Sequence, residues 1–521
     1  MDKKDYSKWL EENKYEEKYK KFDYNPLISV FISGKSKYLK ECIDSILNQI
    51  YDNFEIYVSS EVLKEYEGIG KIKYVNQTNN IEFLNSALKH ASGDFIALVD
   101  SNDILDKNAL YEVVKTLNND KKIDFIYTDE DKLDFNGRRI EPNFKPSFSP
   151  DTLLSGNYIL HLSVVRKILI EKVNGFRNKF EDFHEYDLFL RISEETNKIH
   201  HISKILYHSR KNNNFNNLEI GKKVIEDALE RRKISADVKV IENTNKYFVD
   251  YKLKNEPKVS IIIPTKNRSD ILDKCLKSIY EKSSYKNFEI IVIDNNSDED
   301  SLFNLLEEYK NKYDNFNSYR YECEFNYSYL NNEAVKLSTG EYVLLLNNDT
   351  EVINPDFLRI MVGYASQKHI GCVGAKLLYP TGNVQHIGVI TGLGGVASHI
   401  YVNAPRTEPG YMNYLISPRN VKVVTAACFM IKKSIYTDLN GLDVKLKVAY
   451  NDVDFNVRVR NKGYYNVIVP QVELYHYESK SRGLDTTTEK YKPQGRGEPK
   501  AFPNYNPPMP APLFSRQCPI P

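Results

Sequence analysis

Two tandem α/β domains, each built on a mostly parallel sheet, are predicted by two features of this chain. The first is that the sequence repeats itself. ILNQIYDNFEIYV (46–58) returns as IYEKSSYKNFEIIVID (279–294), ALKHASGDFIALVDSND (87–103) as AVKLSTGEYVLLLNNDT (334–350), HEYDLFLRI (184–192) as NDVDFNVRV (451–459), and KILYHSR (204–210) as VELYHYESKSRG (472–483). The offsets grow slowly: 234 from Phe54 to Phe288, 247 from Gly93 to Gly340, 267 from Glu185 to Asp452 and 268 from His208 to His476. A period near 250 residues is too long for a solenoid repeat and marks a duplicated domain. The second feature is alternation: short apolar, β-branched runs take turns with helical patterns, as right-handed βαβ units require.

The elements follow in order. Residues 1–25 read as a polar helix. The first domain, 26–215, opens with the strand LISVFI, then the helix LKECIDSILNQI, the strand FEIYVSS, the helix FLNSALKHA and the strand FIALVD. Residues 216–256 read as a linker of one helix and a small β element. The second domain, 257–483, repeats the pattern more cleanly as VSIIIP, DILDKCLKSIYEK, FEIIVID, LNNEAVKL and YVLLLN. Its strands are continuous apolar runs, as expected where both sheet faces are covered. The tail, 484–521, is rich in proline without apolar periodicity and reads as disordered.

Composition narrows the function class. The 521 residues are 41% hydrophobic and 27% charged, ordinary for a globular chain. A net charge of +1 gives no general attraction to nucleic acid or to an anionic membrane. Six cysteines are scattered (Cys42, Cys275, Cys323, Cys372, Cys428, Cys518), with no C-x-x-C pair, which fits a reducing compartment. The charged start is unlike a signal peptide, and no apolar run is long enough to span a bilayer. The expectation is a cytoplasmic protein, or one held peripherally at the inner face of a membrane.

Ligands of open parallel sheets bind at the carboxyl ends of strands. In the second domain those ends carry Pro264, Thr265, Lys266, Asn267 and Arg268, then Asp294, Asn295, Asn296 and Ser297, then Asn347, Asn348, Asp349 and Thr350. Asp294 and Asn296 have the groups to hydrogen-bond a base and ribose. Asp349 offers hard oxygens suited to Mg2+ or Mn2+ beside a diphosphate. Each cluster alone also reads as a turn. In NDVDFNVR (451–458), Asp454 and Arg458 are spaced to pair, which leaves Asp452 facing a ligand as a general base or serving as a helix-start cap. His476 follows an apolar strand and is placed to reach the same metal or phosphates, or to be structural. GLGGVASH (392–399) reads as a loop over the acceptor or a plain glycine turn.

Taken together, P-T-K-N-R, D-N-N-S, N-N-D-T, the N-D-V-D-F-N-V-R helix and the terminal L-Y-H-Y-E-S-K-S-R-G make residues 257–483 resemble an inverting family-2 glycosyltransferase of the Rossmann-like GT-A fold. G-A-K-L-L-Y-P-T-G-N-V-Q-H-I-G-V-I (374–390) and V-T-A-A-C-F-M-I (424–431) are similar to the subgroup that builds bacterial cell-surface polysaccharide, including O-antigen and rhamnose-type transferases. Residues 26–215 resemble that subgroup's tandem partner domain, through Y-T-D-E-D-K, P-N-F-K-P-S-F-S-P-D, E-Y-D-L-F-L-R and L-Y-H-S-R. The resemblance implies a nucleotide-sugar donor held by Pro264, Thr265, Asn267, Arg268, Asp294, Asn296 and Asn348. It further implies Mn2+ or Mg2+ on Asp349 and His476, Asp452 as catalytic base, and a glycan, lipid-linked or protein acceptor. The implied chemistry is displacement with inversion at the anomeric carbon.

The first copy departs from these motifs. Phe31-Ile32-Ser33-Gly34-Lys35 follows its first strand, and Tyr57-Val58-Ser59-Ser60 stands against Ile293-Asp294-Asn295-Asn296, so the nucleotide-binding Asp is missing. Anchoring on Gly93 and Gly340 sets Asn102 against Asp349, with Asp100 and Asp103 nearby, Glu185 against Asp452 and His208 against His476. The reading is that the second domain does the chemistry and the first is an acceptor-binding or scaffolding domain. The alternatives are a bifunctional enzyme with both sites active, and a non-catalytic carbohydrate-binding or assembly protein on the same scaffold.

Overall fold

The computed structural model describes residues 3–13, 19–59, 64–77, 79–210, 217–392 and 397–477. The proline-rich tail with Cys518, the Glu478–Gly483 end of the terminal motif, Ser60 and the middle of the 392–399 loop lie outside the described residues. Described residues up to Arg232 form one unit and those from Lys233 a second.

In the first unit the strands are β1 (Ile28–Ser33), β2 (Phe54–Ser59), β3 (Ile72–Val75), β4 (Phe95–Asp100), β5 (Ile104–Leu105), β6 (Phe125–Leu133), β7 (Arg139–Asn143), β8 (Ser163–Arg166) and β9 (Ile199–Ser209). They are ordered β3-β2-β1-β4-β8-β6-β9-β5, with β7 beside β6. The second unit begins with a hairpin of β10 (Ala236–Ile241) and β11 (Lys246–Tyr251). There follow β12 (Val259–Thr265), β13 (Phe288–Asp294), β14 (Phe316–Arg320), β15 (Tyr342–Leu346), β16 (Thr350–Val352), β17 (Ile370–Leu378), β18 (Val384–His386), β19 (Val389–Thr391), β20 (Ala397–His399), β21 (Arg419–Val421), β22 (Cys428–Lys432) and β23 (Tyr465–His476). Its sheet order, β14-β13-β12-β15-β22-β17-β23-β16, reproduces the first strand for strand. The duplication read from the sequence is therefore a duplication of topology. The first four strands of each sheet are parallel, as the βαβ pattern demands. Then β8 and β22 run antiparallel to β4 and β15, which adds a mixed half to each sheet.

Burial follows the apolar runs. Every residue of β12, β13 and β15 is buried. The helix Ser269–Lys282 buries Leu272, Cys275, Leu276 and Ile279, the one-sided spacing of an amphipathic helix packed on a sheet. The N-terminal helix covers Lys3–Glu12 rather than the whole of 1–25, since residues 19–25 are not helical, and its apolar side packs: Tyr6 is buried against Phe144 and Ile205, with Trp9 and Leu10 beside it.

One buried polar device recurs in both units. The Ser29 hydroxyl donates to Glu55 (2.6 Å) and accepts from the Gly93 N–H, while the Ser260 hydroxyl donates to Glu289 (2.6 Å) and accepts from the Gly340 N–H. These close contacts explain the two glycines that anchor the repeat. A Cβ on Gly93 would lie 2.7 Å from the Ser29 nitrogen, and one on Gly340 would lie 2.7 Å from both Lys258 O and Ser260 N.

Candidate functional site

The strand order reverses between β12 and β15, because β13 and β14 extend to one side of β12 and the rest of the sheet to the other. The carboxyl ends of strands at such a switch point leave a crevice, since their following loops diverge. A cavity of about 380 Å3 opens there. Its walls bring together Pro264, Asn348, Asp349, Asp452 and His476 from four separate stretches of chain.

Asp349 is nearly buried at the turn after β15, and its carbonyl accepts from the Tyr477 N–H at 2.9 Å. The ladder pairs Thr350 with His476, which places the two site residues side by side. Asp349 Oδ1 lies 3.2 Å from His476 Nε2, and the Asn347 amide nitrogen is also 3.2 Å from Nε2. One carboxylate and one imidazole fit a divalent ion that completes its shell with water and phosphate oxygens. Among the described residues no group of three His, Cys, Asp or Glu side chains converges as a protein-only metal cage.

Asp452 lies in the first turn of the helix Asn451–Asn461. Its Oδ2 accepts from the Ala426 N–H (3.1 Å) and its Oδ1 from the Val453 N–H (2.8 Å). Two residues on, Asp454 pairs with Arg458 at 2.8 Å, so the neighbouring carboxylate is neutralised as the spacing implied. Asn456 shares the Asp452 face and binds the Val424 backbone through both amide atoms, anchoring the helix to the cavity wall.

Apart from Pro264, Asn347 and Asn348, the other strand-end residues lie outside the cavity lining and are tied to one another. Asn348 donates to the Thr265 hydroxyl (2.9 Å), joining the ends of β12 and β15. Asn267 and Arg268 both have left-handed backbones, and Asn267 exchanges hydrogen bonds with Ser297 and Asp298, while the Arg268 N–H donates to Glu299. The Arg268 side chain pairs with Asp270 at the surface. Asp294 is buried, with Oδ1 accepting from the Ser297 N–H and Oδ2 paired with Arg320 at 2.8 Å. Asn296, with φ of 58°, donates weakly to the Cys323 carbonyl at 3.4 Å. These contacts tie the loops after β12 and β13 to each other.

Sequence reasoning gave no role to Gln385 and His386, which line the same cavity, as does His399 at the end of the 392–399 loop. The available signal was the polar pair Gln-His set inside the apolar run V-Q-H-I-G-V-I. His386 is buried, and burial, together with His399 and Arg419, holds it well below the usual imidazole range.

Strand registers correct two of the sequence alignments of the copies. Ile28 pairs with Phe54 as Val259 pairs with Phe288, so Asp294 corresponds to Ser60 rather than Val58; the carboxylate is absent either way. The histidines are not equivalent. His208 pairs with Ile104 and with Asp131, whereas their counterparts Glu351 and Leu378 both pair with Tyr475. Ser209 therefore stands where His476 does, and a one-residue slip turns a side chain to the opposite face. His208 instead binds Asp131 (2.6 Å), whose other oxygen accepts from Tyr6 (2.5 Å) and Arg139 (2.6 Å).

The rest of the first unit's corresponding region is also occupied. Asp100 accepts from both nitrogens of Asn102, and Asn102 accepts from Ser36. Asp103 is buried under the Tyr207 hydroxyl and the Arg210 N–H, and burial pushes its carboxyl up to about 6. Counting on from the β4–β8 ladder, which ends at Ser163, and the β15–β22 ladder, which ends at Cys428, sets His161 against Ala427. Its ring stacks on Tyr207 and lies 3.3 Å from Glu185, the counterpart of Asp452.

Comparison with known proteins agrees with the duplication. A family model described as Glycosyl transferase family 2 matches residues 27–173 and again 260–439. An uncharacterized protein of Sinorhizobium fredii is 38% identical over 89% of this chain and 54% of its own length. An O-antigen biosynthesis protein of Myxococcus xanthus is 33% identical over 92% of this chain and 40% of its own. The chain thus spans about half or less of the length of these relatives. A solved mannosyltransferase of Pyrobaculum calidifontis, in complex with GDP-Man and Mn2+, matches with a TM-score of 0.33 at 16% identity, over 43% of this chain and 57% of that one. With the family model met in each half and over most of the chain, this protein belongs to glycosyltransferase family 2.

Proposed function

We propose that the protein transfers a sugar from a nucleotide-sugar donor to a glycan, lipid-linked or protein acceptor with inversion, and that the chemistry occurs in the second unit. The observation that carries this reading is the meeting of Asp349, His476 and Asp452 in one cavity at the switch point. Asp452, held by two backbone N–H groups, takes the proton from the attacking acceptor hydroxyl. Asp349 and His476 are the residues that would hold Mn2+ or Mg2+, which when bound offsets negative charge on the departing diphosphate. The interlocked loops after β12 and β13, with Asp294, Asn296, Asn267 and Arg268, form the margin that takes up the nucleotide. Fixing both substrates in one rigid crevice supplies much of the acceleration.

The first unit supports the same assignment by contrast. It has Asn102 for Asp349, Ser209 for His476, and a Glu185 ion-paired to His161 where Asp452 faces a cavity. We infer that it binds acceptor or serves as scaffold. One relative is named for O-antigen biosynthesis, which favours a cell-surface polysaccharide as product. The test is incubation with a panel of nucleotide sugars and Mn2+, following nucleotide release, for wild type, Asp349→Ala and Asn102→Ala. Loss with Asp349→Ala alone is the expected result. Loss with Asn102→Ala alone would move the chemistry to the first unit.

A further inference from the structure

β18 lies beside β17 and buries all three of its side chains. Its middle residue, Gln385, faces His476 twice. Gln385 Oε1 lies 2.6 Å from His476 Nδ1, and Gln385 Nε2 lies 3.4 Å from the His476 carbonyl oxygen. A carbonyl only accepts, so the amide NH2 must face it and the amide oxygen must face the ring. That oxygen also only accepts. Nδ1 therefore carries the ring proton, and Nε2 is the accepting nitrogen of the neutral ring, 3.2 Å from both Asp349 Oδ1 and the Asn347 amide nitrogen.

We infer that Gln385 is a positioning residue for His476, fixing the tautomer and ring angle that let Nε2 share a divalent cation with Asp349. Nothing in sequence spacing announces this, since the two residues are 91 positions apart. The inference rests on the metal reading proposed above. Without the amide, the Nδ1 proton loses its partner inside a buried wall, and the ring is free to rotate or change tautomer. Loss of a partner of this kind costs metal affinity roughly 10–100-fold.

The test uses the full chain with Mn2+ alone as the probe. Binding is measured by electron paramagnetic resonance titration, and spin-echo modulation from a coordinated 14N reports the imidazole. Gln385→Met keeps the shape but has no acceptor, and should weaken Mn2+ binding at least tenfold and diminish the nitrogen modulation. Gln385→Glu keeps an acceptor for Nδ1–H and should stay within about threefold of wild type. His476→Ala should abolish the modulation. Unchanged affinity and modulation in Gln385→Met, or equal weakening in Gln385→Glu, overturns the inference while leaving the metal reading intact. Mn2+ bound to wild type without nitrogen modulation also overturns it. A wild-type chain that binds no Mn2+ overturns the metal reading and this inference together.

Discussion

Ala427→His would install in the second unit the group that closes the first. His161 stands at the matching position of the first unit when the two ladders are counted on past Ser163 and Cys428. There the imidazole is 3.3 Å from Glu185. Opposite charges at 3.3 Å attract by about 5 kcal/mol at an effective dielectric near 20. If half of that attraction is lost as Asp452 takes its proton, the barrier rises by about 2.5 kcal/mol and turnover falls roughly 70-fold. The ring also takes room from a cavity of only about 380 Å3, so the loss should be at least this large. Nucleotide release from the donor panel is the assay, with a thermal melt to show that the variant folds. Raising the pH above about 9, where His161 loses its charge in the first unit, should restore the electrostatic share. Ala427→Leu, bulky but neutral, should show no such recovery. A folded Ala427→His variant with wild-type turnover would refute the assignment of Asp452 as base.

Asp452→Asn keeps the shape and one acceptor but cannot take a proton; turnover should drop 10²–10⁴-fold with nucleotide affinity unchanged by calorimetry. Gly340→Ala and Gly93→Ala each force a Cβ against backbone and displace a buried serine hydroxyl, so each should cost about 1–3 kcal/mol in urea unfolding, the first in the second unit and the second in the first. Burial alone would lower His161, but the charge and hydrogen bond of Glu185, with Glu130 and Asp103, outweigh it and raise the imidazole to about 9. Its folded value lies above its unfolded one, so its stabilisation is whole below about pH 6.5 and is lost as pH rises through about 9. Denaturant titrations from pH 6 to 10 should show this fall, and His161→Gln should flatten it.

Much of the fold was open to reading because it rests on local chemistry. Ile261–Ile263, Ile290–Ile293 and Tyr342–Leu346 are apolar without interruption, as strands covered on both faces allow. The return strands were harder. β8 (SVVR) is four residues long and β18 is three, too short to show any period. Their place is set by long-range pairing. Likewise the Asp454–Arg458 pair was visible from helical spacing, whereas the Arg320–Asp294 pair joins the ends of neighbouring parallel strands and has no spacing rule to reveal it.

By itself the sequence determined the duplication, the succession of βαβ units and the identity of the carboxylates at the strand ends, because side-chain periodicity and repeated blocks are carried by the order of residues alone. Only the tertiary structure decided which of those groups meet. His208 and His476 look equivalent in LYH and LYH, yet the ladder sets them one residue apart and hence on opposite faces. Gln385 reaches His476 only because β17 lies between their two strands, and His161 closes on Glu185 only because β8 lies in the sheet beside β4. Such meetings are fixed by strand register and packing across tens to hundreds of residues, where no local preference acts.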